Sequence, residues 1–163
     1  MAYTLRMHAE LEACARSIHI RLDQMAEIVE GMTAAQLNAR PPIAGANSAW
    51  VLAVHTAGNA RAWIHGIACG NPVRRDRPAE FASTGDDARR LAAELRRTAA
   101  EIDDALTALD PARLDVLLVP AKELWGEGDP REISVRAAIL QVIEHASLHL
   151  GHLQMTRDLA ARG

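Results

Sequence analysis

The segment Ile143-Glu144-His145-Ala146-Ser147-Leu148-His149-Leu150-Gly151-His152 carries three histidines at helical spacing. At about 100° per residue, His149 lies about 40° from His145, and His152 about 20° away on the other side. All three share one face. That face continues upstream through Val135, Ala138 and Val142, so it is expected to point into the protein. Buried neutral imidazoles each need hydrogen-bond partners, and protonated ones cost far more. Three on one core face is a costly way to fill space. A divalent metal ion removes the difficulty by taking the imidazole lone pairs. Two histidines at i and i+4 can place both nitrogens about 2.1 Å from one ion. His152 is two turns from His145, about 10 Å along the axis, and cannot easily join both. It is expected beside the ion, as a pocket group or a proton relay.

A pair on one helix needs a partner from another. His55 is the best candidate: it shares a stripe with Val51, Gly58 and Ala62, and Gly58 permits close helix approach. His65, on the same segment, is rotated about 80° from it. His8 and His19 have no clustered partner. Three neutral nitrogens leave coordination positions open, the pattern of catalytic rather than structural sites. Haem is a poorer fit, because it takes ligands on opposite faces of its ring. The HExxH pattern of metalloproteases is absent: Ala146 follows His145, and Glu144 is rotated about 100° away. The competing reading is that these are core histidines satisfied by ordinary hydrogen bonds.

Long helices must position these residues. Leu11, Ala15, Ile18, Leu22, Met25, Val29 and Met32 step by four and three, as do Ala88, Leu91, Leu95, Thr98, Ile102, Ala105 and Leu109. Val135 through Thr156 forms a third such stripe, and a more apolar segment runs from Ser48 to Cys69. The pattern predicts helices near 4–31, 48–69, 85–109 and 134–161, an all-α four-helix bundle over a single domain, 1–163. Stops and starts agree. Gly31 and Gly70-Asn71-Pro72 end helices, Thr33-Ala-Ala-Gln36 is a capping box, and Arg40-Pro41-Pro42 ends its short turn. Asn47 or Ser48, Thr84 to Asp87, and Ser134 are candidate caps, and Asp110-Pro111 ends the third long helix. No sustained two-residue alternation argues for a strand. The connections 70–84 and 110–133 are long enough for a crossover.

Composition excludes several classes. Of 163 residues, 49% are hydrophobic and 24% charged, with a net charge of −3. No basic tail suggests nucleic-acid binding. Arg74, Arg75 and Arg77 form a short basic run expected to be solvated. Cys14 and Cys69 make neither a disulfide framework nor a four-cysteine zinc site, which suits a reducing cytoplasm. No apolar run is long enough to span a membrane, and Met1 to Glu12 does not read as a signal peptide. P-loop, dinucleotide and Ser-His-Asp patterns are absent. Trp50, Trp63 and Trp125 read as core or pocket-wall residues.

Further segments carry a resemblance: Met32 to Pro42, Ser48-Ala-Trp50-Val-Leu-Ala-Val-His55, Trp63 to Gly70, and His145-x3-His149-Leu-Gly-His152 with Thr156-Arg157 following. Over nearly its whole length the chain resembles the DinB-like, damage-inducible four-helix bundles, which include metal-dependent bacterial thiol S-transferases. The resemblance implies an up-down-down-up bundle that often dimerises, and a divalent ion, zinc or nickel, held by His55, His145 and His149. It also implies chemistry on a small molecule, with a low-molecular-weight thiol such as bacillithiol or mycothiol as cosubstrate; one relative is a maleylpyruvate isomerase. Two positions depart from the pattern. Asn59 stands where relatives often have an acidic residue, and His152 where Gln is common. Three readings follow. The first is an enzyme activating a thiol or water against a small electrophile. The second is a metal-stabilised bundle that binds a small molecule or partner protein without turnover. The third is a plain interaction domain.

Overall fold

The computed structural model describes residues 8–162 and is predominantly helical. Helix α1 spans Ala9–Glu30, a short α2 spans Ala34–Asn38, and α3 spans Ala49–Arg61. Then come α4 (Arg77–Ala82), α5 (Ala88–Ala108), α6 (Lys122–Trp125) and α7 (Val135–Ala160). The part of the first predicted helix at residues 4–7 lies outside the described residues.

Caps set the boundaries. Thr33 and Gln36 form the expected reciprocal capping box on α2. Ser48, rather than Asn47, caps α3 through the Val51 amide, and Ser134 caps α7 through Ala137. Asp87 accepts from the Arg90 amide, so α5 begins at Ala88 rather than 85.

The second long helix does not stay regular. After Arg61 it widens into a π-helical stretch, Ala62–Ala68, closed by a hydrogen bond from the Cys69 N–H to the Ile64 carbonyl. The connections are structured as well. Asp76 caps α4 by accepting from the Ala79 amide at 3.0 Å, with a proline in the first turn. Leu117–Leu118 (β1) pairs antiparallel with Ile133–Ser134 (β2). This two-residue ladder corrects the strand-free expectation. It is too short to show as alternation, and it serves to clip the long connection to the start of α7.

The core follows the helical stripes. Leu11, Ile18, Leu22, Met25 and Val29 of α1 are fully buried with Leu95, Ile102 and Leu106 of α5. Helix α1 packs most extensively on α5 and next on α7, while α3 packs on α5 and α7. The four long helices thus close a ring around one apolar centre. The α3 contribution is alanine-rich (Ala49, Ala53, Ala57, Ala60), so its backbone lies close to its neighbours. That closeness brings α3 and α7 histidines within reach of each other. No described helix is long and apolar enough to cross a membrane.

Candidate metal centre

Three imidazoles converge between α3 and α7. His145 Nε2 lies 3.1 Å from His55 Nε2 and 3.1 Å from His149 Nε2. One ligand atom from each of the three lies within 4.8 Å of the others, and His55, His145 and His149 are the one such cluster among the described residues. His55 is buried, and the other two are half-buried.

The outer nitrogen of His55 is anchored. Its Nδ1 sits 2.8 Å from Glu80 Oε2, and Glu80 also accepts from Arg75 Nε at 2.9 Å and Nη2 at 3.0 Å. An ionised carboxylate only accepts, so His55 carries its proton on Nδ1 and turns a lone pair toward the other two rings. Burial pushes the Glu80 carboxyl up. The hydrogen bonds from His55 and Arg75 outweigh that, and the group stays below the ordinary carboxylate range. Gly58 makes room for this arrangement: a Cβ built there would overlap the Glu80 carboxylate.

His145 is pushed down to about 2, by burial first, then by the charges of His149, His55, Arg75 and Arg77. His149 is pushed down to about 4, by burial and then by His55 and His152. His145 and His149 are therefore neutral donors of lone pairs at pH 7. A ring nitrogen offers one in-plane direction, either an N–H or a lone pair. His145 Nε2 cannot satisfy both of its 3.1 Å contacts, so one contact stays unpaired unless a cation takes the lone pairs. The buried Nδ1 atoms of His145 and His149 also have no partner among the described residues, which leaves them free to carry the proton. The donor set fits a divalent ion that accepts imidazole, such as zinc or nickel.

Two cavities meet at His149. One, of about 520 Å³, is polar on one side, with Asn59, Arg75 and Arg77, and is walled by Phe81 and Trp125. The other, of about 340 Å³, is lined by Ile43, Leu52, Met155 and Leu159 together with His149 and His152. Phe81 stacks 4.5 Å from the His55 ring, and Trp125 lies 5.3 Å from Trp63. Both tryptophans are thus wall or core residues, as expected.

The histidines selected by spacing are brought together, and the others are not. His152 was expected on the inward face but is exposed, its ring 5.6 Å from that of His149. The buried face of α7 runs on through Leu153 and Thr156, and His152, beside that face, lines the apolar cavity instead. His19 pairs with Asp103 of α5 at 2.5 Å. His8 and Glu144 are exposed, and His65 lies outside the cluster. Two contributors escaped sequence reasoning. Glu80 is only 8% exposed. Arg75, expected to be solvated, is buried with its side chain 3% exposed, because Glu80 neutralises it there. A carboxylate five residues after an arginine, just past an Asp76-x-Pro78 helix start, was the available signal.

A profile of the DinB superfamily matches residues 17–153. The fold is similar to the crystal structure of a conserved protein from Enterococcus faecalis, with a TM-score of 0.71 and 16% identity over 93% of this chain and 97% of that one. No curated protein matches the sequence. The three-histidine cluster lies within the matched residues, and the chain belongs to the DinB superfamily.

Proposed function

We propose that His55, His145 and His149 hold one divalent metal ion, zinc or nickel, and that the protein is an enzyme acting on a small electrophile with a low-molecular-weight thiol or water. One observation carries the reading: three imidazole Nε2 atoms converge where at most one of the two Nε2 contacts can be a hydrogen bond. When bound, such an ion supplies a Lewis acid that brings the pKa of a thiol or water toward neutrality.

The chain's own groups supply the rest. Glu80 keeps His55 in the lone-pair-donating tautomer, and Arg75 keeps Glu80 ionised and in place. The polar and apolar cavities on either side of His149 give two reactants separate approaches to one point. Phe81 and Trp125 supply the aromatic part of the polar side's lining. His152, on the exposed rim next to His149, carries a released proton to solvent. No protein nucleophile is required by this division of labour.

The test is thiol consumption with electrophilic probes by untagged protein, before and after chelation. Turnover that needs metal and is lost in His145→Ala supports the proposal. Stoichiometric metal with no turnover across several thiols and electrophiles leaves a metal-stabilised binding bundle instead.

A further inference from the structure

We propose that the polar cavity selects ligands bearing a carboxylate with a hydrogen-bond donor beside it, the carboxylate held by Arg77 and the free Nη1 of Arg75, and the donor read by Asn59. The inference rests on the three-histidine centre as the place of reaction, and it names the class of molecule brought there.

Asn59 is one turn beyond His55 and only 5% exposed. It lines the same cavity as the three histidines. Its buried Oδ1 has no donor, and its side chain makes no hydrogen bond among the described residues. A buried amide left without partners is costly, and Asn59 is one of the residues that line this cavity. Arg75 makes a parallel case. Its side chain is 3% exposed, with Nε and Nη2 committed to Glu80. Its Nη1 has no acceptor among the described residues. Two buried residues with unused hydrogen-bonding capacity therefore line one space of about 520 Å³, a volume suited to a small molecule.

Arg77 adds a second positive charge to the lining. Its guanidinium lies 4.9 Å over the Phe81 ring, and its Nη2 is bound to Glu127 at 2.9 Å. Glu127 is 84% exposed, so this is a weak, screened pair. It also shows the kind of group that Arg77 accepts. A ligand carboxylate entering the cavity displaces Glu127 and gains a planar, charge-assisted fork from arginine. Glu80 does not line this cavity and is already committed to Arg75 and His55. Oδ1 of Asn59 is an acceptor, which sets the second requirement: an O–H or N–H on the ligand near its carboxylate.

The experiment uses the full chain loaded with Co²⁺ and follows the metal absorption. The probes are 3-mercaptopropionate, its methyl ester, and 3-mercaptolactate, which adds a hydroxyl next to the carboxylate. The acid is expected to bind about 10-fold more tightly than the ester. That preference should fall below about 3-fold in Arg77→Gln and grow in Glu127→Gln, whose exposed position spares the fold. The added hydroxyl should strengthen binding in the wild type but not in Asn59→Leu. Equal binding of acid and ester overturns the proposal. So does a preference undiminished in Arg77→Gln, which would place its origin at the metal. If Co²⁺ does not saturate at one per chain, the metal reading fails by itself. The acid and ester are then compared by tryptophan fluorescence on metal-free protein, where Trp125 lines the cavity, and the same preference decides.

Discussion

Glu80 acts on the candidate centre through His55. The carboxylate fixes which imidazole nitrogen carries the proton, and so whether a lone pair faces the other two rings. Glu80→Gln keeps the shape but removes the charge and permits the wrong tautomer; divalent-metal affinity should fall about 10- to 100-fold, read by competition with a chromophoric chelator. The histidines also set a pH dependence for the metal-free protein. His145 and His149 are depressed to about 2 and about 4 in the folded state, against the usual 6.5 when unfolded. Between those limits the unfolded chain binds more protons. Their neutral burial is therefore compatible with full stability above about pH 6.5, and stability is lost as pH falls toward 4. Urea titrations of chelated protein at pH 7, 5.5 and 4.5 should show this decline. It should be smaller in His149→Leu, which cannot titrate. The histidine trio was legible because type, spacing and face agree at 55, 145 and 149. Glu80 and Arg75 were not. Their meaning comes from being buried against each other, which the helix start at Asp76 and Pro78 marks only indirectly.

At the scale of elements, the close approach of α4 to α3 holds the carboxylate against the histidine. Gly58 is the point of contact, since any Cβ there meets Glu80. Gly58→Ala should leave helicity nearly unchanged, alanine being the better helix former, yet displace Glu80 and weaken metal binding by about 10-fold or more. Circular dichroism and the chelator competition, measured together, separate these effects. Long helices were readable because caps and stripes coincide: Ser48 and Ser134 cap as their sequence suggests, as does the Thr33–Gln36 box on the short α2. The π-helical widening at Ala62–Ala68 had no periodic signal, because an apolar run packed on several sides fixes no period of its own. Helix α4 was missed for lack of length, although Asp76 and Pro78 mark its start. The β1–β2 ladder is set by tertiary placement of the connection beside α7.

Across the whole molecule, the bundle ring is held mainly by the α1–α5 seam, while the histidines occupy the α3–α7 side. Stability and site are thereby separable. Ile102→Ala, at a fully buried position of α5, should cost about 2–5 kcal/mol by urea denaturation while leaving metal stoichiometry intact in the folded protein. The all-α class followed from composition and periodicity. The way the helices pair around the ring did not, since amphipathic stripes say which face is buried and not which neighbour covers it. The claim on which the rest depends is that His55, His145 and His149 bind one ion. Elemental analysis of untagged protein, purified without chelator, tests it directly alongside His149→Ala. We expect about one zinc or nickel per wild-type chain, and strongly reduced metal with a lower melting temperature in the variant. Substoichiometric metal in the wild type, with no change in metal content or melting in His149→Ala, would contradict it.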